Sequence, residues 1–195
     1  MRLIRHPWVW FARFRKRKGY GVHSPFAFSF ITTVVNERTP FYAYRELSRL
    51  HPWWVRLGRF YPVQCRRLLF RLANFAEPQT VCILGECPLE ETYIKRAVPH
   101  ARIYNNVRAR EKGHLPVADF VLVAAERMDE ALSLAKEMPE NGMLVVEGIH
   151  RSAAATRQWH ALQAANHTGI TFDLYTYGVA FFDPHRHKQH YKVNF

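Results

Sequence analysis

The chain has 195 residues, with 28 Lys and Arg against 16 Asp and Glu, a formal net charge of +12 and 14% aromatic residues. That length suits one domain with a substantial core and is short for two full ones, and the aromatic content argues against disorder. No apolar run approaches the roughly 20 residues that cross a bilayer.

The apolar patch Trp8–Phe14 is broken by Arg13 and followed by a basic run without a small-residue cleavage site, so no export signal is expected. Cys65, Cys82 and Cys87 are odd in number and lack metal-type spacing, which predicts reduced thiols in a cytoplasmic protein. The charge is uneven. Residues 1–79 hold 15 Lys and Arg against 3 Asp and Glu, while residues 80–195 hold 13 of each. The entire excess therefore lies in the N-terminal part. Two readings fit: a face that meets nucleic acid or an anionic membrane, or a solubilising basic cap.

In chain order, residues 1–18 place Leu3, Ile4, Trp8, Phe11 and Phe14 at helical spacings among Arg and Lys. This predicts an amphipathic cationic helix, of a kind that lies on membranes, docks on its own domain or dimerises. Ser24 and Pro25 predict a capped helix running through Val35. Phe41–Leu50 and Trp53–Ala76 read as further helices interrupted by Pro52 and Pro62. Residues 1–79 thus read as a basic, aromatic helical layer. The remainder, residues 80–195, alternates strands and helices.

Thr80–Leu84 is an apolar, β-branched run that reads as a buried strand, and Gly85 ends it. Leu89–Ala97 has helical composition and stops at Pro99. A strand, a turn opened by glycine and a helix make the first half of a βαβ unit, where α/β sheets place ligands. The loop keeps one glycine and continues with Glu86, Cys87 and Pro88. Arg102–Asn106, Asp119–Ala124 and Gly142–Glu147 read as strands, Met128–Met138 and Ser152–Asn166 as helices. Gly169–Thr176 and Gly178–Phe182 read as an antiparallel hairpin with a tight Tyr177–Gly178 turn, which Lys188–Phe195 extends or adjoins. The expected fold is α/β: a Rossmann-like, mostly parallel sheet with an antiparallel C-terminal hairpin, under an N-terminal helical layer.

That order, with the strings YGVHSPFAF (Tyr20–Phe28), DFVLV (Asp119–Val123), VVEGIHRS (Val145–Ser152), YGVAFFDP (Tyr177–Pro184) and KQHY (Lys188–Tyr191), resembles the class I S-adenosylmethionine-dependent methyltransferases. More narrowly, it is similar to a group of small methyltransferase-like proteins of Bacteroides-type bacteria. The resemblance implies a methyltransferase-type sheet with S-adenosyl-L-methionine near Gly85, Glu86, Cys87, Asn105, Asn106 and Ala124. It also implies acids that this chain replaces. Ile83 stands near the strand-one acid and Leu89 near the second loop glycine. Asn105 and Asn106 stand at the ribose-binding end of strand two, and Ala124 and Ala125 where a metal-binding aspartate would follow DFVLV. Only Glu147, beside Gly148, keeps an acidic position. The pattern implies a cofactor site that is weakened or lost, in a divergent methyltransferase or in a non-catalytic relative that binds partners through its basic layer.

Glu147 and His150 follow a strand's C-terminal edge and read either as a general base or ligand-orienting pair, or as a strand end and a packing histidine. Asp183, His185, His187 and His190 are better read as a solvated loop than a metal site, since alternate strand positions bring together only two ligands. His23 is a helix-start residue or a catalytic one, if the N-terminal layer covers the site. Cys87 is expected to be structural, because Glu86, Glu90 and Glu91 disfavour a thiolate. Trp8, Trp10, Trp53, Trp54 and Phe41–Tyr44 suit either packing or base stacking.

Overall fold

A computed structural model describes residues 22–52, 61–105 and 117–194. The expected helix over residues 1–18, Trp53, Trp54 and Asn106 lie outside the described residues.

The N-terminal layer begins with α1 (Pro25–Phe30), which the Ser24 hydroxyl caps by accepting from the Ala27 N–H at 3.3 Å. It runs on as a π-type turn over Ile31–Val35. A helix end leaves carbonyls without intrahelical donors. Arg71, buried on α3 (Tyr61–Ala76), answers two of them: its Nε donates to Val34 O at 2.6 Å and its Nη2 to Val35 O at 3.0 Å. Its Nη1 reaches the hydroxyl of Tyr44 on α2 (Tyr44–Ser48) at 3.3 Å, so one guanidinium joins three segments. The α2 helix is shorter than the predicted Phe41–Leu50, and α3 carries Pro62 within its span.

Among the described residues the sheet has seven strands: β1 (Thr80–Leu84), β2 (Arg102–Asn105), β3 (Phe120–Val123), β4 (Met143–Glu147), β5 (Ile170–Asp173), β6 (Tyr177–Phe181) and β7 (Gln189–Lys192), in the order β2-β1-β3-β4-β6-β5-β7. Strands β2, β1, β3 and β4 are parallel, and β6 enters antiparallel between β4 and β5. Strand β7 pairs parallel with β5 at the edge, so only β6 runs against the rest. The helices between strands are α4 (Pro88–Ala97), α5 (Ala131–Glu137), preceded by a 3₁₀ turn over Ala125–Glu130, and α6 (Ala153–Ala164) with Ser152 as its cap.

Alternate strand residues face opposite layers, as the two-residue period of a strand requires. Val81, Ile83, Leu122, Val145, Phe172 and Val179 join Phe30, Leu68, Leu72 and Ile94 in one core, beneath the N-terminal helices and α4. Cys82, Leu84, Val123, Val146 and Ala180 join Trp159, Leu162 and Ala135 in the other, beneath α5 and α6.

The turn of the hairpin is corrected by the structure. Tyr177 and Gly178 lie inside β6, opposite Glu147 and Val146, and the chain reverses through Leu174–Thr176. Tyr175 supplies the left-handed residue there, at φ 72. Gly178 is required for a different reason: a Cβ on it would meet the Trp159 ring at 2.6 Å. The signal that suggested a turn marks a glycine over which a buried indole lies flat.

Candidate functional site

Strands β1, β3 and β4 end together at one edge of the sheet, and the loops that follow them interlock. Gly85 turns the chain after β1 at φ 112, a conformation open to glycine. The Ala124 N–H donates to Leu84 O at 2.7 Å, tying the end of β3 to the end of β1. Three consecutive residues then fill the space between the neighbouring loops. A Cβ on Gly85 would fall 2.3 Å from the Ala124 Cβ, and one on Gly148, itself at φ 70, would fall 2.8 Å from the Ala125 Cβ. Glu126 completes the set: its Oε1 accepts from the Glu86 N–H at 3.1 Å and would lie 2.6 Å from a Gly85 Cβ.

The remaining predicted residues are distributed around this wedge. Glu86 is exposed, and Ala124 is buried in the sheet-side core. Cys87 is buried with its thiol pushed up to about 12, first by burial and then by Glu147, Glu90 and Glu126. It is therefore a thiol at neutral pH and a poor nucleophile. Asn105 ends β2 with its amide Nδ2 3.5 Å from Glu91 Oε2 on α4. Ile83 is buried where an acid was anticipated.

Glu147 ends β4, and burial holds its carboxyl above the ordinary carboxylate range. Glu90 and Glu126 add to that rise, while Arg66 and Arg151 oppose it. Glu90 is itself engaged by Arg66 of α3 at 2.8 Å, so the N-terminal layer delivers a cation to the edge of the sheet. His150 belongs to a separate group. Its Nε2 lies 2.8 Å from Oδ2 of the buried Asp173, its ring stacks on Tyr175 with centroids 5.4 Å apart, and its Nδ1 is 3.5 Å from Thr156 Oγ1. His150, three positions from Glu147 in the chain, thus meets Asp173, Tyr175 and Thr156.

Asp173, Glu126 and Arg66 were not singled out from the sequence. For Glu126 a signal existed, since a carboxylate just past a strand's C-terminal edge is what drew attention to Glu147. Asp173 was concealed because the strand was expected to continue through Thr176. Arg66 is one of many cations on an N-terminal helix, and only the packing of α3 selects it.

Elsewhere, Asp183 is used locally, accepting from the His185 N–H at 2.9 Å and from Arg186 Nε at 2.7 Å. His190 Nδ1 pairs with Thr171 Oγ1 at 2.8 Å, and His23 is exposed next to the Ser24 cap. Among the described residues no group of three or more His, Cys, Asp or Glu is arranged to hold a metal ion, and no helix is long and apolar enough to cross a membrane.

No protein-family model matches the chain, and no curated protein matches it. Solved structures do. The SAH-bound methyltransferase PaMTH1 of Podospora anserina aligns at a TM-score of 0.52, with 11% identity over 77% of this chain and 92% of that one. A methyltransferase of Geobacter sulfurreducens aligns at 0.47, with 16% identity over 79% and 96%. The O-methyltransferase TomG of Streptomyces achromogenes, solved with SAM, aligns at 0.45, with 16% identity over 78% and 94%. Together with the strand order, the first of these defines the class: the chain has the Rossmann-like fold of class I S-adenosylmethionine-dependent methyltransferases.

Proposed function

We propose that this chain is a divergent S-adenosylmethionine-dependent methyltransferase-like protein whose cofactor site is weakened. One observation carries the reading. The glycine turn after β1 is retained at φ 112 at the correct edge of the sheet, while the residues beside it have lost their charge: Ile83 and Ala124 are buried and apolar, and Asn105 is neutral. A carboxylate accepts two hydrogen bonds from a ribose and is strengthened by its charge, which an amide is not. This donor set does not fit the cofactor as a charge-assisted site would, and no methyl-transfer step is assigned to it. Each lost charge-assisted hydrogen bond costs about 1.5–3 kcal/mol, and each 1.4 kcal/mol is roughly a tenfold loss of affinity.

Where acid or base chemistry survives, Glu147 and His150 are the groups for it: the first as an acid kept protonatable by burial, the second as an imidazole held by Asp173. Calorimetry of the full chain with S-adenosylmethionine and with its demethylated product tests the reading. Weak or undetectable binding is expected, and a low-micromolar dissociation constant would overturn it.

A second reading, a non-catalytic relative that binds nucleic acid or sits peripherally on an anionic membrane from the cytoplasm, is favoured by the confinement of the whole charge excess to residues 1–79. A polybasic segment gains about 1 kcal/mol per Lys or Arg near an anionic bilayer. Co-sedimentation with anionic vesicles and a gel shift with RNA, comparing the full chain with one lacking residues 1–18, test it. Equal binding by both chains would end this reading.

A further inference from the structure

The Ala124–Glu126 segment does more than lack the expected acid. Its three side chains pack against the two neighbouring loops, with Ala124 over Gly85, Ala125 over Gly148 and the Glu126 carboxylate on the Glu86 N–H. The Ala124 N–H bond to Leu84 O fixes this segment against the end of β1, so the carboxylate is delivered by short, constrained backbone. Glycine at position 85 leaves the main chain open to close approach, and in this protein the approaching group is the chain's own.

We propose that Glu126 is an internal occupant of the β1 loop, and that a nucleoside ligand carrying an amino-acid tail binds there only by displacing its carboxylate. The proposal rests on the weakened-site reading and supplies its regulation. Two effects act together. Glu126 accepts from the Glu86 N–H in the place a ligand oxygen would otherwise take, and it brings its own negative charge to that position, whereas the neighbouring Glu90 is paired with Arg66. A ligand carboxylate is repelled by that charge. Glu126 is exposed and belongs to neither core, so its truncation removes no core side chain.

The experiment is calorimetric titration of the full-length protein, Glu126→Ala and Glu126→Gln with S-adenosylhomocysteine, each confirmed as folded by its thermal transition. Glu126→Ala is expected to bind at least tenfold more tightly than wild type. Glu126→Gln should fall between them, because its amide oxygen still accepts from the Glu86 N–H while the charge is gone. The Glu86 amide resonance should move in ligand-free Glu126→Ala, reporting the contact directly. Weak binding by wild type with no gain in Glu126→Ala overturns the internal occupant and leaves the weakened site standing. Low-micromolar binding by wild type overturns both.

Discussion

His150 Nε2 and Asp173 Oδ2 stand 2.8 Å apart, joining the loop after β4 to the end of β5 across the antiparallel strand β6. The carboxylate only accepts, so Nε2 donates to it, while Nδ1 lies 3.5 Å from Thr156 Oγ1. Asp173 is buried, and its second oxygen accepts from the Tyr175 N–H at 2.9 Å, holding the residue that turns the hairpin at φ 72. A left-handed non-glycine residue persists where its surroundings over-determine it, and this carboxylate is part of that determination.

Replacing Asp173 with Ala removes both acceptors at once. Depriving a buried donor of its partner costs about 1–3 kcal/mol, and these two bonds are part-buried, so the lower end applies. The urea midpoint of Asp173→Ala should fall accordingly with an unchanged slope, while His150→Ala, which leaves the Tyr175 bond in place, should cost less. Equal losses would show that the hairpin does not depend on the carboxylate.

The pH dependence of stability should carry the signature of Glu147. Its folded carboxyl lies above the ordinary value, mainly through burial, so the folded protein binds the proton more readily than the unfolded chain does. The stability it contributes is complete below the unfolded carboxylate value and is lost as pH rises through the folded one. Glu147→Gln should therefore melt above wild type near pH 7 and together with it near pH 4. A variant that melts below wild type at pH 7 contradicts the assignment.

Gly178 offers a test of the corrected hairpin. A methyl group there would press into the Trp159 ring at 2.6 Å, and overpacking of this kind costs about 1–3 kcal/mol. Gly178→Ala should lower the thermal midpoint and perturb the near-ultraviolet signal of the indole. Were Gly178 in an exposed turn, alanine would leave both measurements nearly unchanged.

The sequence by itself determined the layers. Uninterrupted apolar runs such as FVLV and MLVV suit strands buried on both faces, and glycine or proline punctuates the chain between several of them, so the order of strands and helices was readable. Ser24 and Ser152 announced the helix starts that they cap. The absence of acids at Ile83, Asn105 and Ala124 was equally legible, because it concerns residue identity alone. Partnership was not. Glu147 and His150 are three residues apart, but only the packing of β5 beyond β6 brings the buried Asp173 to His150. Arg71 was one cation among many until α3 set it beneath the open carbonyls of Val34 and Val35. Gly178 looked like a turn because glycine permits both tight turning and close approach, and only Trp159, arriving from α6, separates the two. Local pattern fixes which residues are buried and where elements end, whereas side-chain partners depend on distances between segments far apart in the chain, which packing alone sets.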